Sequence, residues 1–143
     1  MTENLTKIFF EYEEAEGQYG VESAWAEPTA GGYKLDNLLF YAKEYALGDV
    51  VEVEEKDGAK YVTGLLKESG HSLVRVLFHD LAIVQEIRNE LAEAGCQSEL
   101  SNLSNLIAVD IPASMEYAPI RTYLEAGEAD GRWTYQEACI AHQ

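Results

Sequence analysis

The chain has 143 residues, of which 26 are Asp or Glu and only 10 are Lys or Arg, giving a formal net charge of −16 and a pI near 4.4. That balance excludes nucleic acid and anionic membranes as partners, because both are gripped through Lys and Arg. At 47% hydrophobic and 10% aromatic residues the chain still has the material for a core, which sets it apart from charged, disordered sequences.

In chain order, Leu5 to Tyr12 reads as a strand around Ile8, Phe9 and Phe10, followed by the acidic run Glu13, Glu14 and Glu16. Val21 to Glu27 is a second strand, ended by the turn residues Pro28-Thr29-Ala30-Gly31-Gly32. Tyr33 to Leu35 and Leu38 to Tyr41 continue in extended form around a turn or bulge at Asp36-Asn37. After Gly48-Asp49, Val51 and Val53 alternate with Glu52 and Glu54, the period-two pattern of a half-buried strand. Asp57-Gly58 supplies a hairpin turn, and Ala59 to Leu66 returns. Residues 1–70 thus predict a small antiparallel sheet or partial barrel.

Residues 71–143 change character. Ser72 to Phe78 is an apolar strand interrupted by Arg75, expected to meet a carboxylate across the sheet or to face solvent. Asp80 predicts a helix cap, Leu81, Val84, Ile87, Leu91 and Ala94 repeat at helical spacing, and Gly95 marks the stop. Gln97 to Leu100 and Leu106 to Ile111 read as strands, and a helix over 117–126 is expected to stop at Gly127, with Pro119 in its first turn. Thr134 and Glu137 match a capping box, which predicts a short terminal helix from Tyr135 to Ala141. Strand, helix, strand, strand, helix is most of a ferredoxin-like unit. The whole reads as α+β: two sub-modules, 1–70 and 71–143, in one compact unit.

Met1-Thr2-Glu3-Asn4 lacks the start of a signal peptide, and no stretch approaches the roughly 18 apolar residues of a membrane span. Cys96 and Cys139 are isolated, so two free thiols in the cytoplasm are expected. His71, His79 and His142 have no zinc-helix spacing, and no acidic run matches a calcium loop or any glycine motif a phosphate cradle. No metal and no cofactor are expected. Ser69-Gly70-His71-Ser72 places hydroxyls beside an imidazole, but turn and capping bonds account for it equally well. A ligand cleft using Asp36, His71 and Arg75 is the enzyme-class alternative. The stronger signal is acidic: Glu11, Glu13, Glu14 and Glu16 lie near Tyr12, Tyr19, Trp25 and Tyr33, and Glu52, Glu54, Glu55 and Asp57 lie near Tyr61. Carboxylates interleaved with aromatic rings suit a partner rich in Lys and Arg, although charge on edge strands also serves simply to keep sheets apart.

Trp25-Ala26-Glu27-Pro28, Tyr33-Lys34-Leu35-Asp36-Asn37, Gly48-Asp49-Val50-Val51-Glu52 and Ser69-Gly70-His71-Ser72 with Arg75 resemble an uncharacterised bacterial family of small cytosolic proteins, a domain of unknown function. The likeness covers residues 22–140, including Gly95-Cys96 and Trp133 to Cys139. In size and acidity the chain is also similar to bacterial immunity proteins, which neutralise toxin domains. That second likeness implies a non-enzymatic inhibitor of a basic toxin, most naturally a nuclease, with Glu13, Glu14, Glu16, Glu54, Glu55, Asp57 and Tyr61 at the contact. A module binding a ribonuclease or ribosomal protein is the third reading.

Overall fold

Residues 4–142 are described by a computed structural model, so Met1 to Glu3, on which the targeting expectation partly rests, lie outside the described residues. Ile8 and Phe10 are buried in β1 (Thr6–Ala15) while Lys7 and Glu11 are exposed, as alternation requires. β2 (Gln18–Thr29) pairs antiparallel with it, and Ala24 and Ala26 complete the inner face. β3 (Gly32–Leu35), β4 (Val50–Lys56) and β5 (Ala59–Lys67) continue the meander. Asp57 and Gly58 both take positive φ, 53° and 82°, the requirement of a two-residue hairpin turn. β5 then lies parallel to β1, Tyr61 opposite Phe9, and the five strands close into a barrel.

Residues 36–49 correct the expectation of a strand over Leu38 to Tyr41. They form an irregular strap in which the adjacent Leu38 and Leu39 are both buried, a pattern that a one-faced strand cannot give. The strap finds its backbone partners in side chains instead. Glu22 accepts from the N–H groups of Phe40, Tyr41 and Ala42 at 2.6, 3.0 and 2.9 Å.

The second half holds β6 (Ser72–Phe78), α1 (Val84–Ala94), β7 (Ser98–Leu100), β8 (Leu106–Ile111), α2 (Ala118–Ala129) and β9 (Trp133–Cys139). Asp80 caps the 3-10 turn that leads into α1, accepting from the Ala82 N–H at 2.9 Å, and Gly95 ends the helix at φ 110°. The four strands make an antiparallel sheet in the order β7-β8-β6-β9. Two expectations fail here. The terminal segment is a strand, not a helix, because it completes the sheet beside β6, with Thr134 opposite Leu77. Glu137 therefore serves no cap: its carboxylate accepts from the Tyr117 hydroxyl at 2.6 Å and from Arg121 at 3.1 Å. Gly127 does not stop α2 either; the helix runs on to Ala129, and Gly127 makes room for Trp133.

The molecule is α+β and rich in strand, with the sheet between two layers. One face packs on α1 and α2 through Val74, Val76, Ile107, Leu124 and Trp133. Leu73, Ala108 and Ala138 of the other face join Ile8, Phe10, Leu35, Leu39 and Val51 in the barrel cluster. β6 is covered on both sides as far as Val76, with Leu77 left open, which explains its nearly continuous apolar sequence.

Candidate functional site

The barrel closure determines which acidic residues share a surface. Ser23, Phe9, Tyr61 and Glu54 follow one another across four neighbouring strands, and the Phe9 and Tyr61 rings lie 5.6 Å apart. From Phe9 the outward positions along β1 continue through Glu11 and Glu13, which stand opposite Val21 and Tyr19 of β2. Val21 is 52% and Tyr19 71% exposed, so this face mixes carboxylates with accessible apolar groups. Trp25 and Tyr61 each already hold one ammonium over the ring, Lys7 and Lys56, both at 5.4 Å. The site residues expected from sequence divide accordingly. Glu54 and Tyr61 are direct neighbours on β4 and β5, whereas Glu13 lies four positions beyond Phe9 on β1, two strands from Glu54 around the barrel. Glu16 and Asp57 sit in two turns that parallel pairing of β1 and β5 sends to opposite ends. Glu14 and Glu55 fall on the other side of their strands, Glu14 accepting from the Tyr12 hydroxyl and Glu55 pairing with Lys60 at 3.4 Å. Such an exposed pair contributes only about 0.2–1 kcal/mol.

Asp36, His71 and Arg75 are placed apart, with no hydrogen-bond partner in common among the described residues. Asp36 is exposed just after β3, its N–H bonded to the Trp25 carbonyl. His71 Nδ1 lies 2.8 Å from Asp110 Oδ1 at the start of β6. Burial pushes the Asp110 carboxyl up and His71 pulls it partly back. Arg75 corrects its own expectation, since it meets neither a cross-sheet carboxylate nor solvent. Its guanidinium donates to the carbonyls of Leu39, Tyr41 and Ala42 and to Gln136 Oε1, clamping the strap that Glu22 holds from the opposite side. Burial lowers the Arg75 pKa, and the charge of Glu22 opposes that shift. Sequence reading missed Glu22, Tyr41 and Gln136, because each acts through a partner far away in the chain.

The hydroxyls of the Ser69 to Ser72 segment are committed to structure. Ser69 donates to the Leu47 carbonyl at 2.7 Å. His142 Nε2 lies 2.9 Å from the Pro112 carbonyl, which can only accept, so Nδ1 is the acceptor for the buried Ser72 hydroxyl at 2.5 Å. This is a clasp on the terminal segment. The two cysteines are equally quiet: burial pushes both thiols up to about 11. Native Cys96 and Cys139 are expected to react with dithiobisnitrobenzoate roughly a hundredfold more slowly than free cysteine, since the thiolate is the attacking form. Urea should abolish the difference, and fast labelling of the native protein would contradict it.

Together these features define an α+β protein whose five-stranded barrel presents an acidic, aromatic-rich outer face. The chain belongs to the family described as a domain of unknown function, DUF4265, whose model matches residues 22–135. That agrees with the resemblance carried by Trp25-Ala26-Glu27-Pro28 and the motifs after it. A solved structure of a hypothetical protein from Neisseria gonorrhoeae is similar over 97% of both chains, with a TM-score of 0.82 and 20% identity, a likeness of fold. No curated protein matches the sequence.

Proposed function

We propose that this chain is an acidic protein-binding module that receives a basic partner on the outer face of the barrel. Within that class the reading is an immunity protein, occluding a basic toxin nuclease by standing carboxylates where substrate phosphates would lie. One observation supports it: closure through Phe9 and Tyr61 joins the strand bearing Glu11 and Glu13 to the hairpin bearing Glu54, so that both acidic clusters lie on the outside of one barrel. Clustered like charges raise the energy of the free protein, and Lys or Arg from a partner relieves that cost. Neighbouring rings add cation–π contact. We read the second half as ferredoxin-like, with α1 and α2 on one face and β6 and β8 central. The commitment of the Ser69 and Ser72 hydroxyls supports a non-enzymatic role.

The test is stopped-flow association with basic toxin nuclease domains. Steered encounters reach about 10⁸–10⁹ M⁻¹s⁻¹ at low salt, against roughly 10⁵–10⁶ for unsteered ones. Reversing Glu11, Glu13 and Glu54 to lysine is expected to slow association at least tenfold at low salt. Reversing Glu86, Glu93 and Glu125 on the helices, the same change in net charge, should cost much less. The gap should close in high salt, where screening shortens to about 3 Å at 1 M. Equal effects of the two triple variants would mean that the charge acts only through its total. Association with ribosomal proteins or housekeeping ribonucleases, but not toxin domains, would favour the regulatory reading of the same face.

A further inference from the structure

A groove leads from the acidic face to the part of the sheet that the barrel leaves uncovered. Its inner end is a cavity of about 310 Å³ with Leu77 and Leu106 against Phe40, Tyr41 and Tyr135. Phe40, Tyr41, Arg75 and Gln136 also line a wider cavity of about 570 Å³ that opens beside Tyr12 onto Glu13, Glu14 and Lys43. A third, of about 440 Å³, carries on past Tyr12 and Tyr41 to Glu11 and Glu44. The groove therefore grades from apolar at one end to acidic at the other. Its mouth has four carboxylates, Glu11, Glu13, Glu14 and Glu44, against the one ammonium of Lys43.

The walls are built in advance. Tyr41 stacks on Tyr12 at 5.5 Å and 18°, its N–H is held by Glu22, its carbonyl by Arg75 and its hydroxyl by Asn102 at 3.2 Å. A fixed wall lowers the ordering cost of binding. Gln136 turns Oε1 to Arg75, which leaves its Nε2 to donate elsewhere, and the residue is exposed where the two inner cavities meet. Leu77 remains 40% exposed and Tyr41 38%.

We propose that this groove takes an extended segment of the basic partner, which makes the inference dependent on the partner reading above. An apolar side chain of that segment seats against Leu77 and Leu106, a backbone carbonyl accepts from Gln136 Nε2, and a Lys or Arg side chain lies at Glu13 and Glu14. Charge selects this occupant over a second copy of the chain, since each copy carries −16 and would bring further carboxylates to an acidic mouth.

The test uses three peptides: acetyl-Leu-Phe-Gly-Lys-Arg-amide, its Ser-Ser-Gly-Lys-Arg counterpart and its Leu-Phe-Gly-Glu-Glu counterpart. Affinities come from fluorescence anisotropy and sites from amide chemical-shift mapping on the full chain. The first peptide is expected to bind at least about tenfold tighter than either control, a modest return for two buried apolar side chains. It should shift the amides of Leu77, Leu106 and Thr134. Leu77→Gln, at an exposed position, should remove its advantage over the Ser-Ser peptide without changing the affinity of the latter. If both basic peptides bind equally and shift only Glu11, Glu54 and Tyr61, the groove assignment fails while the barrel-face reading stands. Failure of every peptide to bind overturns the groove as a peptide site and leaves the barrel face to the charge-reversal kinetics. Equal binding of the Leu-Phe-Gly-Glu-Glu peptide overturns the basic occupant. Shifts at Leu77 and Leu106 on concentrating the protein alone would assign the groove to a second copy.

Discussion

Replacing Arg75 with methionine is expected to destabilise the protein by about 2–5 kcal/mol, since each buried acceptor left without a donor costs about 1–3 kcal/mol. Methionine fills much of the same volume, so the loss is not one of packing. It strands the carbonyls of Leu39 and Ala42 in the interior, while the Tyr41 carbonyl and the Gln136 amide lose a partner beside the groove. It also leaves Glu22 holding the same strap with its compensating cation gone. Arg75→Lys should fall between, because a single ammonium cannot reach acceptors arranged for a planar fork. Urea denaturation midpoints measure both. Glu22→Gln combined with Arg75→Met should cost clearly less than the sum of the single changes, since both residues hold one segment. A loss below about 1 kcal/mol for Arg75→Met would show that the strap stands without its clamp.

Gly127→Ala should also destabilise, although helix propensity alone predicts a gain of roughly 0.8–1.0 kcal/mol. A Cβ at residue 127 would stand 1.9 Å from Trp133 Cζ2 and 2.2 Å from Cε2. The indole has nowhere to go. It is fully buried, its Nε1 donates to the Leu124 carbonyl at 3.0 Å, Phe78 meets it edge-on, and Arg132 lies over the ring at 4.6 Å. Overpacking of this kind costs about 1–3 kcal/mol, occasionally more, and the direct clash puts this case at the upper end. At about 2–4 °C per kcal/mol, the melting temperature should fall by roughly 5–10 °C. Trp133→Phe, which removes the offending part of the ring, should recover part of the loss in the Gly127→Ala background. An unchanged or raised melting temperature would contradict the contact.

The same glycine shows where sequence reading stops. Gly95 and Gly127 look alike as helix terminators, and only Gly95 is one; the other answers to a tryptophan on the next strand. Thr134 and Glu137 fit a capping box locally, yet the open edge of β6 decides in favour of a strand. Where the determinant was local it was legible. Alternation marked β4, Asp57-Gly58 marked the turn, and Asp80 with the periodic leucines and isoleucine marked α1. The strap was illegible because its backbone is satisfied by Glu22 and Arg75, neither of them near it in sequence. The candidate site follows the same division. Composition exposed both acidic clusters, but only the parallel closure at Phe9 and Tyr61 shows that their strands are joined in one barrel and that Glu16 and Asp57 lie in turns at its opposite ends.

Site-specific photo-cross-linking tests the central claim most directly. Benzoylphenylalanine placed at Tyr61, on the barrel beside Glu54, and at Glu93, exposed on α1, gives two probes on different surfaces of one molecule. In the source cells the Tyr61 probe should trap a basic protein that the Glu93 probe does not, and charge reversal of Glu11, Glu13 and Glu54 should abolish the adduct. Trapping of the same protein equally from both positions, or adducts at Tyr61 that survive the charge reversal, would show that the barrel face is not where the partner is recognised.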